Sequence, residues 1–250
     1  MGENGSAVFG GWLMLPSPEI AEAVVRAGYD FVGVDSQHGA HDFRDILRLV
    51  QLIDVLGVPA CVRVAPDELF RVGRLADFGV SSIVVAMCDT ADLAERAVSL
   101  TRYQPRGIRS YGGQRYDMRP EAADLSSQGP DVYAMIETRL GVENLPEILS
   151  VPGIAGVHVG RGDLSLSYGI DFRAADGQAI MPVVASILET TKRHGLAAAI
   201  HVVDGGEAAD FARMGFDQLL MSTDIALLRA AYARELGRAR TSLGLPERDE

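Results

Sequence analysis

The hydrophobic pattern repeats along the chain as an amphipathic stretch, a glycine and a short run of β-branched residues. The amphipathic stretches carry apolar residues at helical spacing, as at Ile20, Ala23, Val24 and Ala27. A glycine in this place is typical of a helix C-cap, because glycine readily adopts the left-handed conformation that ends a helix. The glycines in the five clear copies of the repeat, followed by the glycine of a sixth, looser copy, are Gly28, Gly57, Gly79, Gly195, Gly215 and Gly153.

The β-branched runs predict eight strands, near residues 8–15, 29–35, 59–64, 81–87, 131–137, 154–160, 197–202 and 216–222. Their apolarity is continuous rather than alternating, which suits parallel strands covered by helices. Eight strand–helix units predict a single (β/α)8 TIM barrel over residues 1–250. A doubly wound open sheet is the alternative, and the absence of a GxGxxG turn after the first strand weakens its dinucleotide-binding form.

The ends of the predicted helices carry further signals. Ser17 followed by Pro18 is a good cap and first-turn pair for the first helix. The last helix is predicted over about 224–240 with one apolar face, which packs either on its own barrel or on a neighbouring subunit. Residues 241–250 are predicted to form a flexible tail.

The composition of the chain limits the binding partners and the cellular location that we expect. The 34 acidic and 23 basic residues give a formal net charge of -11, which repels phosphate backbones and anionic lipid. We therefore expect no nucleic-acid partner and no membrane attachment. The first residues lack an export signal and no long apolar run occurs, which predicts a cytoplasmic location. Cys61 and Cys88 stand alone in β-branched segments, so they are interpreted as small core residues rather than disulfide or zinc ligands.

Lysine is nearly absent from the chain. Of the 23 basic residues only Lys192 is a lysine, and it lies near the predicted end of a helix, where a cation suits the helix dipole and faces water. A Schiff-base mechanism needs a lysine in a desolvated pocket. Carbonyl chemistry on this chain would therefore need another electron sink.

Carboxylates follow two neighbouring predicted strands. Glu137 ends the fifth strand and Asp163 follows the sixth, so both are expected at the carboxyl-terminal rim, where barrel enzymes carry their active sites. Two carboxylates with open positions for water and substrate favour Mg²⁺, Mn²⁺ or Co²⁺. The alternative is structural: Glu137 caps the following helix and Asp163 is an N-cap.

Two more polar residues are expected at this rim. His38 follows the second strand and precedes a glycine, so it is a candidate general base, whereas His41, His158 and His194 are interpreted as structural. Arg63 ends an apolar strand and needs a buried anion, which a substrate or an internal salt bridge to Asp35 would supply. A cation site, an arginine and a histidine together are the set that forms and holds an enolate.

One connection breaks the repeat. Almost thirty residues separate the helix that ends near Tyr103 from the strand at Val132, and they include the segment Arg109–Arg119. Loops of this length are usually functional or serve assembly. The segment is expected to bind an anionic or hydroxylated acceptor, to join subunits or to have only a surface role, and its position opposite the active face counts against the first of these.

Over nearly its whole length the sequence resembles the metal-dependent 2-oxo acid aldolases of the HpcH/HpaI type. The stretches that carry the resemblance, in chain order, are Asp35-Ser-Gln-His38-Gly, Val62-Arg63, Leu75-Ala-Asp77-Phe-Gly79, Gly107-Ile-Arg109, Ile136-Glu137-Thr138 and Gly160-Arg-Gly-Asp163-Leu-Ser165. The resemblance implies a (β/α)8 barrel that assembles as a hexamer, a trimer of dimers with exchanged C-terminal helices.

The resemblance also implies roles for the residues at the rim. Glu137 and Asp163 would hold a divalent metal ion that binds a pyruvate-type 2-oxo acid, and Arg63 would bind the oxo or enolate oxygen. The turn over Gly160, Arg161, Gly162 and Asp163 would offer backbone N–H groups to the substrate carboxylate. No nucleotide cofactor is implied.

The acid–base residues are implied to work across a subunit boundary. His38 would act through water, paired with Asp77 of the partner subunit, and Asp35 would orient Arg63 and the site across that boundary. The chain departs from many family members at two substrate-binding positions, with Gln37 in place of a glutamate and Met135 in place of a glutamine. These changes are expected to affect the choice of aldehyde and the rate.

Two other functions stay open. The same enolate would serve an oxaloacetate decarboxylase or an enzyme acting on an acyl thioester, although the only basic path for a coenzyme is Arg102, Arg106, Arg109 and Arg115. A barrel that binds a metabolite without turning it over is the more remote alternative.

Overall fold

The computed structural model describes residues 6–112, 115, 129–173 and 175–246 as a closed barrel of eight parallel strands in chain order. The strands are Val8–Leu13 (β1), Phe31–Asp35 (β2), Ala60–Val64 (β3), Ser82–Val85 (β4), Asp131–Ile136 (β5), Ile154–Val159 (β6), Ala197–Val202 (β7) and Gln218–Thr223 (β8). The last strand pairs with the first. This closure confirms the predicted (β/α)8 class and excludes the open sheet.

Helices follow the strands as predicted. Within the described residues they are Pro18–Arg26 (α1), Phe43–Val55 (α2), Val72–Phe78 (α3), Ala91–Thr101 (α4), Arg139–Glu143 (α5), Leu145–Leu149 (α6), Arg161–Ser167 (α7), Met181–Arg193 (α8), Gly205–Met214 (α9) and Asp224–Ser242 (α10). Short 3-10 turns cover Pro66–Arg71 and Ala175–Ile180. The strands begin and end within two residues of the predicted bounds.

Local sequence explains where these helices begin and end. The hydroxyl of Ser17 accepts a hydrogen bond from the Ile20 backbone N–H at 3.2 Å, as the predicted cap requires. Gly79 and Gly215 end α3 and α9 with φ angles of 101° and 108°, a conformation that would strain a residue with a side chain.

Two apolar regions hold the fold together. The larger lies between the strands and the helices, and the smaller fills the inside of the barrel. Val62 and Val64 belong to the outer region and Cys61 to the inner one, so Arg63 also faces the barrel axis. Cys61 and Cys88 are free and buried, and burial raises the pKa of their thiols to about 11 and about 12, which confirms them as core residues.

The C-terminal helix α10 is attached to the barrel mainly through its first residue. The buried carboxylate of Asp224 accepts hydrogen bonds from the backbone N–H groups of Met14 and Leu15 at 2.9 and 3.0 Å. Leu228 is half-buried, but four other large apolar residues of the helix are exposed: Ile225, Leu227, Tyr232 and Leu236. Thr241 and Ser242, placed in the tail by the sequence, belong to the helix, and residues 247–250 lie outside the described residues.

Two further expectations concern the outer surface. Lys192 lies in the last turn of α8, where its ammonium group binds both carboxylate oxygens of Asp217 at 2.6 Å, away from the barrel axis. Among the helices that are described, none combines the length and apolarity needed to cross a lipid bilayer.

Candidate active site

A cavity of about 680 Å³ opens at the carboxyl-terminal ends of the strands, where barrel enzymes carry their catalytic residues. Its size suits a small organic substrate. It is lined by nine of the residues that the sequence places in the site: Asp35, His38, Arg63, Met135, Glu137, Gly160, Arg161, Gly162 and Asp163. Gln37 and Asp77 are not part of its lining.

Arg63 and Asp35 form a buried ion pair on neighbouring strands. The Arg63 Nε donates to Asp35 Oδ1 at 3.0 Å and Nη2 lies 2.5 Å from Oδ2. Burial acts to raise the pKa of Asp35, but the hydrogen bonds and charge of Arg63 outweigh it and hold that pKa below its usual value. The sequence left two anions open as the partner of Arg63, a substrate or Asp35. The structure shows the internal salt bridge to Asp35.

Glu137 follows β5 with a carboxylate that is almost fully buried. Its Oε1 accepts a hydrogen bond from the Met87 backbone N–H at 2.7 Å, whereas Oε2 has no partner among the described residues. Burial raises the pKa of Glu137 to about 7, the negative charge of Asp163 adds to the rise, and the Met87 N–H and Arg63 oppose it. The ionised form of Glu137 is therefore disfavoured at this site unless a positive charge binds to it.

The structural alternatives for the two carboxylates are wrong. Thr138, not Glu137, caps the helix that follows β5, because its hydroxyl accepts a hydrogen bond from the Gly141 N–H at 2.9 Å. Asp163 is the third residue of α7, whose N-cap is Gly160, and it makes no capping hydrogen bond. Helix capping therefore does not explain the presence of either carboxylate at this rim.

Gly160 leaves room for the Glu137 side chain. A Cβ atom at this position would lie 2.4 Å from Glu137 Oε2 and 2.7 Å from Met135 Cε. No pair of atoms of this kind can approach so closely without one of them moving. The glycine is therefore required by the placement of the carboxylate on the neighbouring strand.

We expect Gly160→Ala to lower kcat/KM at least ten-fold, because the added methyl group displaces the Glu137 carboxylate. Gly205→Ala on the same face of the barrel is the control, since its added Cβ would make only an ordinary contact of 3.9 Å with Met221. Steady-state kinetics of both variants, with circular dichroism to verify folding, measure the effect. Equal activity of the two variants would contradict this explanation of Gly160.

His38 is exposed at the edge of the cavity. Its backbone N–H donates to Asp35 Oδ1 at 3.2 Å, which fixes the loop after β2, and its ring makes no hydrogen bond with any residue that the structure describes. The ring is therefore available to a substrate or a water molecule. This is the accessibility that the sequence predicts for a general base.

The chemistry of the two carboxylates fits a divalent cation. Across the described residues no group of three His, Cys, Asp or Glu side chains could hold a metal ion. Glu137 and Asp163 are only two ligands, but they line one cavity and Glu137 keeps an unpartnered buried oxygen. A hard cation that takes its other ligands from water and substrate matches this donor set.

Comparison with known proteins agrees with the geometry. The family described as HpcH/HpaI aldolase/citrate lyase matches residues 9–231. A hydroxypyruvate/pyruvate aldolase of Rhizorhabdus wittichii is 34% identical over 243 residues, which cover 95% of this chain and 96% of that protein. The chain belongs to the HpcH/HpaI family.

Two further relatives support this membership. A 4-hydroxy-2-oxo-heptane-1,7-dioate aldolase of Escherichia coli is 31% identical over 242 residues, 92% of this chain and 89% of that protein. The crystal structure of an HpcH/HpaI aldolase from Desulfitobacterium hafniense has a TM-score of 0.85 at 27% identity, covering 98% of this chain and 96% of that one. Enzymes of the HpcH/HpaI family generally depend on a divalent metal ion. Membership of this family, together with relatives that are named aldolases, indicates that this protein is a carbon–carbon lyase.

The structure places two residues suggested by the HpcH/HpaI resemblance away from the cavity of this chain. Asp77, on α3, lies 2.6 Å from Arg109 Nη2. Gln37 donates its backbone N–H to Asp35 Oδ1 at 3.0 Å. The pairing of Asp77 with a partner subunit's His38 and the contact of Gln37 with substrate both stay predictions.

The side chain of Arg161 is held by the protein itself. Its Nη1 and Nη2 atoms lie 2.7 Å from the two carboxylate oxygens of Glu207, and Nη2 also donates to the His201 carbonyl at 3.2 Å. The Arg161 guanidinium stacks 4.8 Å from the centre of the Phe211 ring. A substrate contact by Arg161 is therefore better expected from its backbone N–H than from its side chain.

The segment Arg109–Arg119, for which acceptor binding, subunit contact and a surface role were all left open, is described only in part, since residues 113–114 and 116–119 lie outside the described residues. Arg115 forms an ion pair with Asp54 and donates to the Phe78 carbonyl at 3.0 Å. These partners lie at the C-terminal ends of α2 and α3, the side opposite the cavity. The described part of the segment thus fits a surface or assembly role.

Two cavity residues, His158 and His201, were missed by the sequence reasoning, which interpreted His158 as structural and gave His201 little weight. His158 lies between Val157 and Val159, which face the helices, so the period of two turns its ring toward the axis. His201 lies on the neighbouring strand β7 and also lines the cavity. The alternation within β6 was the available signal.

Both imidazoles are held neutral. Burial lowers the pKa of His158 to about 3, and the charges of His201 and Arg63 add to the effect. Burial likewise lowers the pKa of His201 to about 4, with further contributions from Arg161 and Arg63. At neutral pH neither ring carries a charge.

This neutrality predicts a loss of stability in acid. Because each pKa is lower in the folded state than in the unfolded chain, the unfolded state binds more protons below pH ~6.5, and the free energy of unfolding falls as the pH falls. At pH ~5 we expect about 1–2 kcal/mol for each ring. Urea unfolding of wild type, His158→Gln and His201→Gln at about pH 5 and pH 7.5 measures the free energy of unfolding at each pH. Each variant is expected to lose less stability than wild type when the pH falls from about 7.5 to about 5. If both variants lose as much as wild type, this explanation is contradicted.

Proposed function

We propose that the protein is a divalent-metal-dependent class II aldolase that joins a pyruvate-type 2-oxo acid to an aldehyde and reverses this reaction. One observation carries the proposal: the buried Glu137 carboxylate keeps an unpartnered oxygen in a cavity that also holds Asp163 and the Arg63 guanidinium. Anionic ligands for a cation and a fixed positive charge in one cavity suit a reaction that develops charge on a carbonyl oxygen. The names of the relatives support a three-carbon 2-oxo acid as one substrate.

Glu137 and Asp163 would hold the metal ion. When bound, such an ion supplies a positive charge that polarises the 2-oxo carbonyl. Arg63 donates hydrogen bonds to the same carbonyl oxygen, and its pairing with Asp35 fixes the guanidinium before substrate arrives. The backbone N–H groups of Arg161 and Gly162, at the start of α7, receive the substrate carboxylate.

His38 acts as the general acid and base that transfers protons. In the cleavage direction its imidazole accepts the proton of the 4-hydroxyl group through a water molecule, and the C3–C4 bond breaks with its electrons passing toward the 2-oxo group. Arg63 stabilises the resulting negative charge on oxygen. The aldehyde formed at C4 leaves, C3 takes up the proton that His38 returns through water, and the 2-oxo acid then leaves, while synthesis follows the same steps in reverse.

The assembly is part of the same proposal. We propose a hexamer, a trimer of dimers, in which the exposed apolar residues of α10 pack on a neighbouring subunit. Their exposure in the single chain supports this packing rather than packing on the chain's own barrel. In such an assembly Asp77 of the partner subunit would approach His38 and orient its ring.

Hydrogen exchange of pyruvate tests the proposed function. We expect the methyl signal of pyruvate in deuterated water to decay in proton NMR when the protein and Mn²⁺ or Mg²⁺ are present, and to persist after addition of a chelator. Because exchange requires the enolate but no aldehyde, it isolates the first half of the reaction. Absence of exchange with Mg²⁺, Mn²⁺ and Co²⁺ all supplied would contradict the proposal.

Product analysis then separates the aldolase from the alternatives. Aldol addition consumes pyruvate and an added aldehyde together, whereas an oxaloacetate decarboxylase releases carbon dioxide from oxaloacetate without an aldehyde. An acyl-thioester enzyme would require a coenzyme A ester in place of the free acid. A barrel that only binds metabolites would show no exchange with any ion.

A further inference from the structure

The first turn of α7 carries Asp163, but the turn itself does little to fix this carboxylate. The N-cap of α7 is Gly160, which has no side chain to accept hydrogen bonds from the first N–H groups of the helix. The Asp163 side chain is exposed and makes no capping hydrogen bond. The Ser165 hydroxyl donates to the Arg161 carbonyl at 2.8 Å, but this bond stays within the helix. The position of Asp163 therefore depends on what attaches this turn to the rest of the barrel.

An ion pair attaches the turn to another strand–helix unit. Arg161 Nη1 and Nη2 lie 2.7 Å from Oε1 and Oε2 of Glu207, which belongs to the first turn of α9. Such a two-point contact between a guanidinium and a carboxylate fixes the angle between them as well as the distance. The Arg161 guanidinium also lies 4.8 Å from the centre of the Phe211 ring on the same helix. The pair thus joins α7 to α9 in one defined geometry.

The far end of this pair is anchored to the end of β7. Glu207 Oε2 accepts a hydrogen bond from the Val203 backbone N–H at 2.7 Å, and Arg161 Nη2 donates to the His201 carbonyl at 3.2 Å. The Glu207 backbone N–H in turn donates to the Asp204 carboxylate at 2.9 Å, which caps α9. Arg161 therefore holds the first turn of α7 against a part of the barrel that is itself fixed.

The pair lies in the cavity wall and is electrically balanced. Arg161 and Glu207 both line the cavity that holds Glu137 and Asp163. An arginine without an anionic partner at this place would repel a cation bound by those two carboxylates. Glu207 supplies the opposite charge, so Arg161 holds the turn without adding net positive charge to the site.

We infer that Arg161 and Glu207 are positioning residues for the cation site, because their ion pair fixes the first turn of α7 and through it the Asp163 carboxylate. This inference rests on the proposed function, in which Glu137 and Asp163 hold a divalent metal ion. It adds Glu207, from a strand–helix unit that supplies no ligand. Groups that orient metal ligands typically change metal affinity about 10-fold to 100-fold when they are removed.

The Mn²⁺ affinity of the folded protein tests the inference without turnover. By titration calorimetry we expect the Kd of Arg161→Lys and of Glu207→Gln to exceed that of wild type about ten-fold or more. Arg161→Lys keeps the positive charge but loses the two-point contact, so it separates geometry from charge. Because both changes break one contact, the double variant is expected to show less than the product of the two single effects.

Arg213→Lys is the matched control. Arg213 forms an ion pair with Asp210 on the same helix α9, but both side chains are exposed and neither lines the cavity. We expect its Mn²⁺ affinity to equal that of wild type. Urea unfolding of every variant reports losses of stability, which lower the folded fraction but not the affinity of the molecules that stay folded. If Arg161→Lys does not fold, Glu207→Gln decides, since its amide oxygen still accepts from the Val203 N–H.

The outcomes separate this inference from the proposed function. Mn²⁺ binding as tight in Arg161→Lys, Glu207→Gln and the double variant as in Arg213→Lys overturns the positioning role, even if the variants are less stable. If wild type binds Mn²⁺ but does not exchange the methyl protons of pyruvate, the proposed function is contradicted and the affinities still decide the role of the pair. A wild type that binds no Mn²⁺ contradicts both.

Discussion

Replacement of Glu137 by glutamine is expected to lower metal-dependent kcat/KM at least about a thousand-fold, because a metal charge at a developing oxyanion contributes several kcal/mol. The amide keeps the shape of the side chain and its contact with the Met87 N–H, but it removes the charge that binds a cation. Titration calorimetry with Mn²⁺ and steady-state kinetics measure the two losses. Glu147→Gln, an exposed change on α6, is the control.

The same substitution is expected to stabilise the metal-free protein at high pH. The pKa of Glu137 is raised from 4.5 to about 7, so between these values the folded state holds a proton that the unfolded chain has lost, and stability falls as the pH rises through this window. At about pH 8 glutamine avoids this loss, worth roughly 1–3 kcal/mol. Near pH 5 the gain should largely disappear. A variant that is less stable than wild type at both pH values would contradict the assignment of Glu137 as a buried carboxylate awaiting a cation.

The second large effect is expected from Arg63→Met. It leaves the Asp35 carboxylate buried without its cation, which costs about 3–5 kcal/mol of stability. It also removes a fixed donor to the substrate oxygen, which should lower kcat about a hundred-fold to a thousand-fold. Denaturant unfolding and kinetics on the same preparation measure both effects.

A double variant separates the two roles of Arg63. In Asp35→Asn/Arg63→Met the unpaired charge is gone, and the amide oxygen still accepts from the backbone N–H groups of Gln37 and His38. We expect it to regain much of the lost stability but none of the lost activity. Recovery of activity together with stability would mean that Arg63 only supports the structure.

The barrel was predictable from the sequence because its signals are local. Gly79 and Gly215 end helices through their own backbone freedom, and each β-branched run that follows is a strand. The rim residues followed in turn, since the carboxyl ends of parallel strands meet on one face whatever the details of packing. Glu137 and Asp163 needed only their positions after β5 and β6.

Apart from the ion pair of Arg63 with Asp35, whose residues lie at the ends of neighbouring strands, the side-chain partners of the site residues were not predicted, because they depend on distant parts of the chain. Arg161 was expected to offer its backbone N–H to the substrate, and nothing in the sequence indicated that its side chain is held by Glu207, which lies on another strand–helix unit. His158 was interpreted as structural because a histidine inside an apolar strand carries no sign of which way its ring faces until the neighbouring valines are assigned to the helices. That His158 and His201 line the same cavity becomes visible only when β6 and β7 are paired.

A crystal soaked in Mn²⁺ and measured at an anomalous wavelength tests the central claim most directly. We expect one strong anomalous peak in the cavity, bonded to a carboxylate oxygen of Glu137 and one of Asp163, and no such peak in crystals of Glu137→Gln. A cavity without a peak, with the two side chains turned away from each other, would contradict the assignment of a metal-dependent enolate chemistry to this protein.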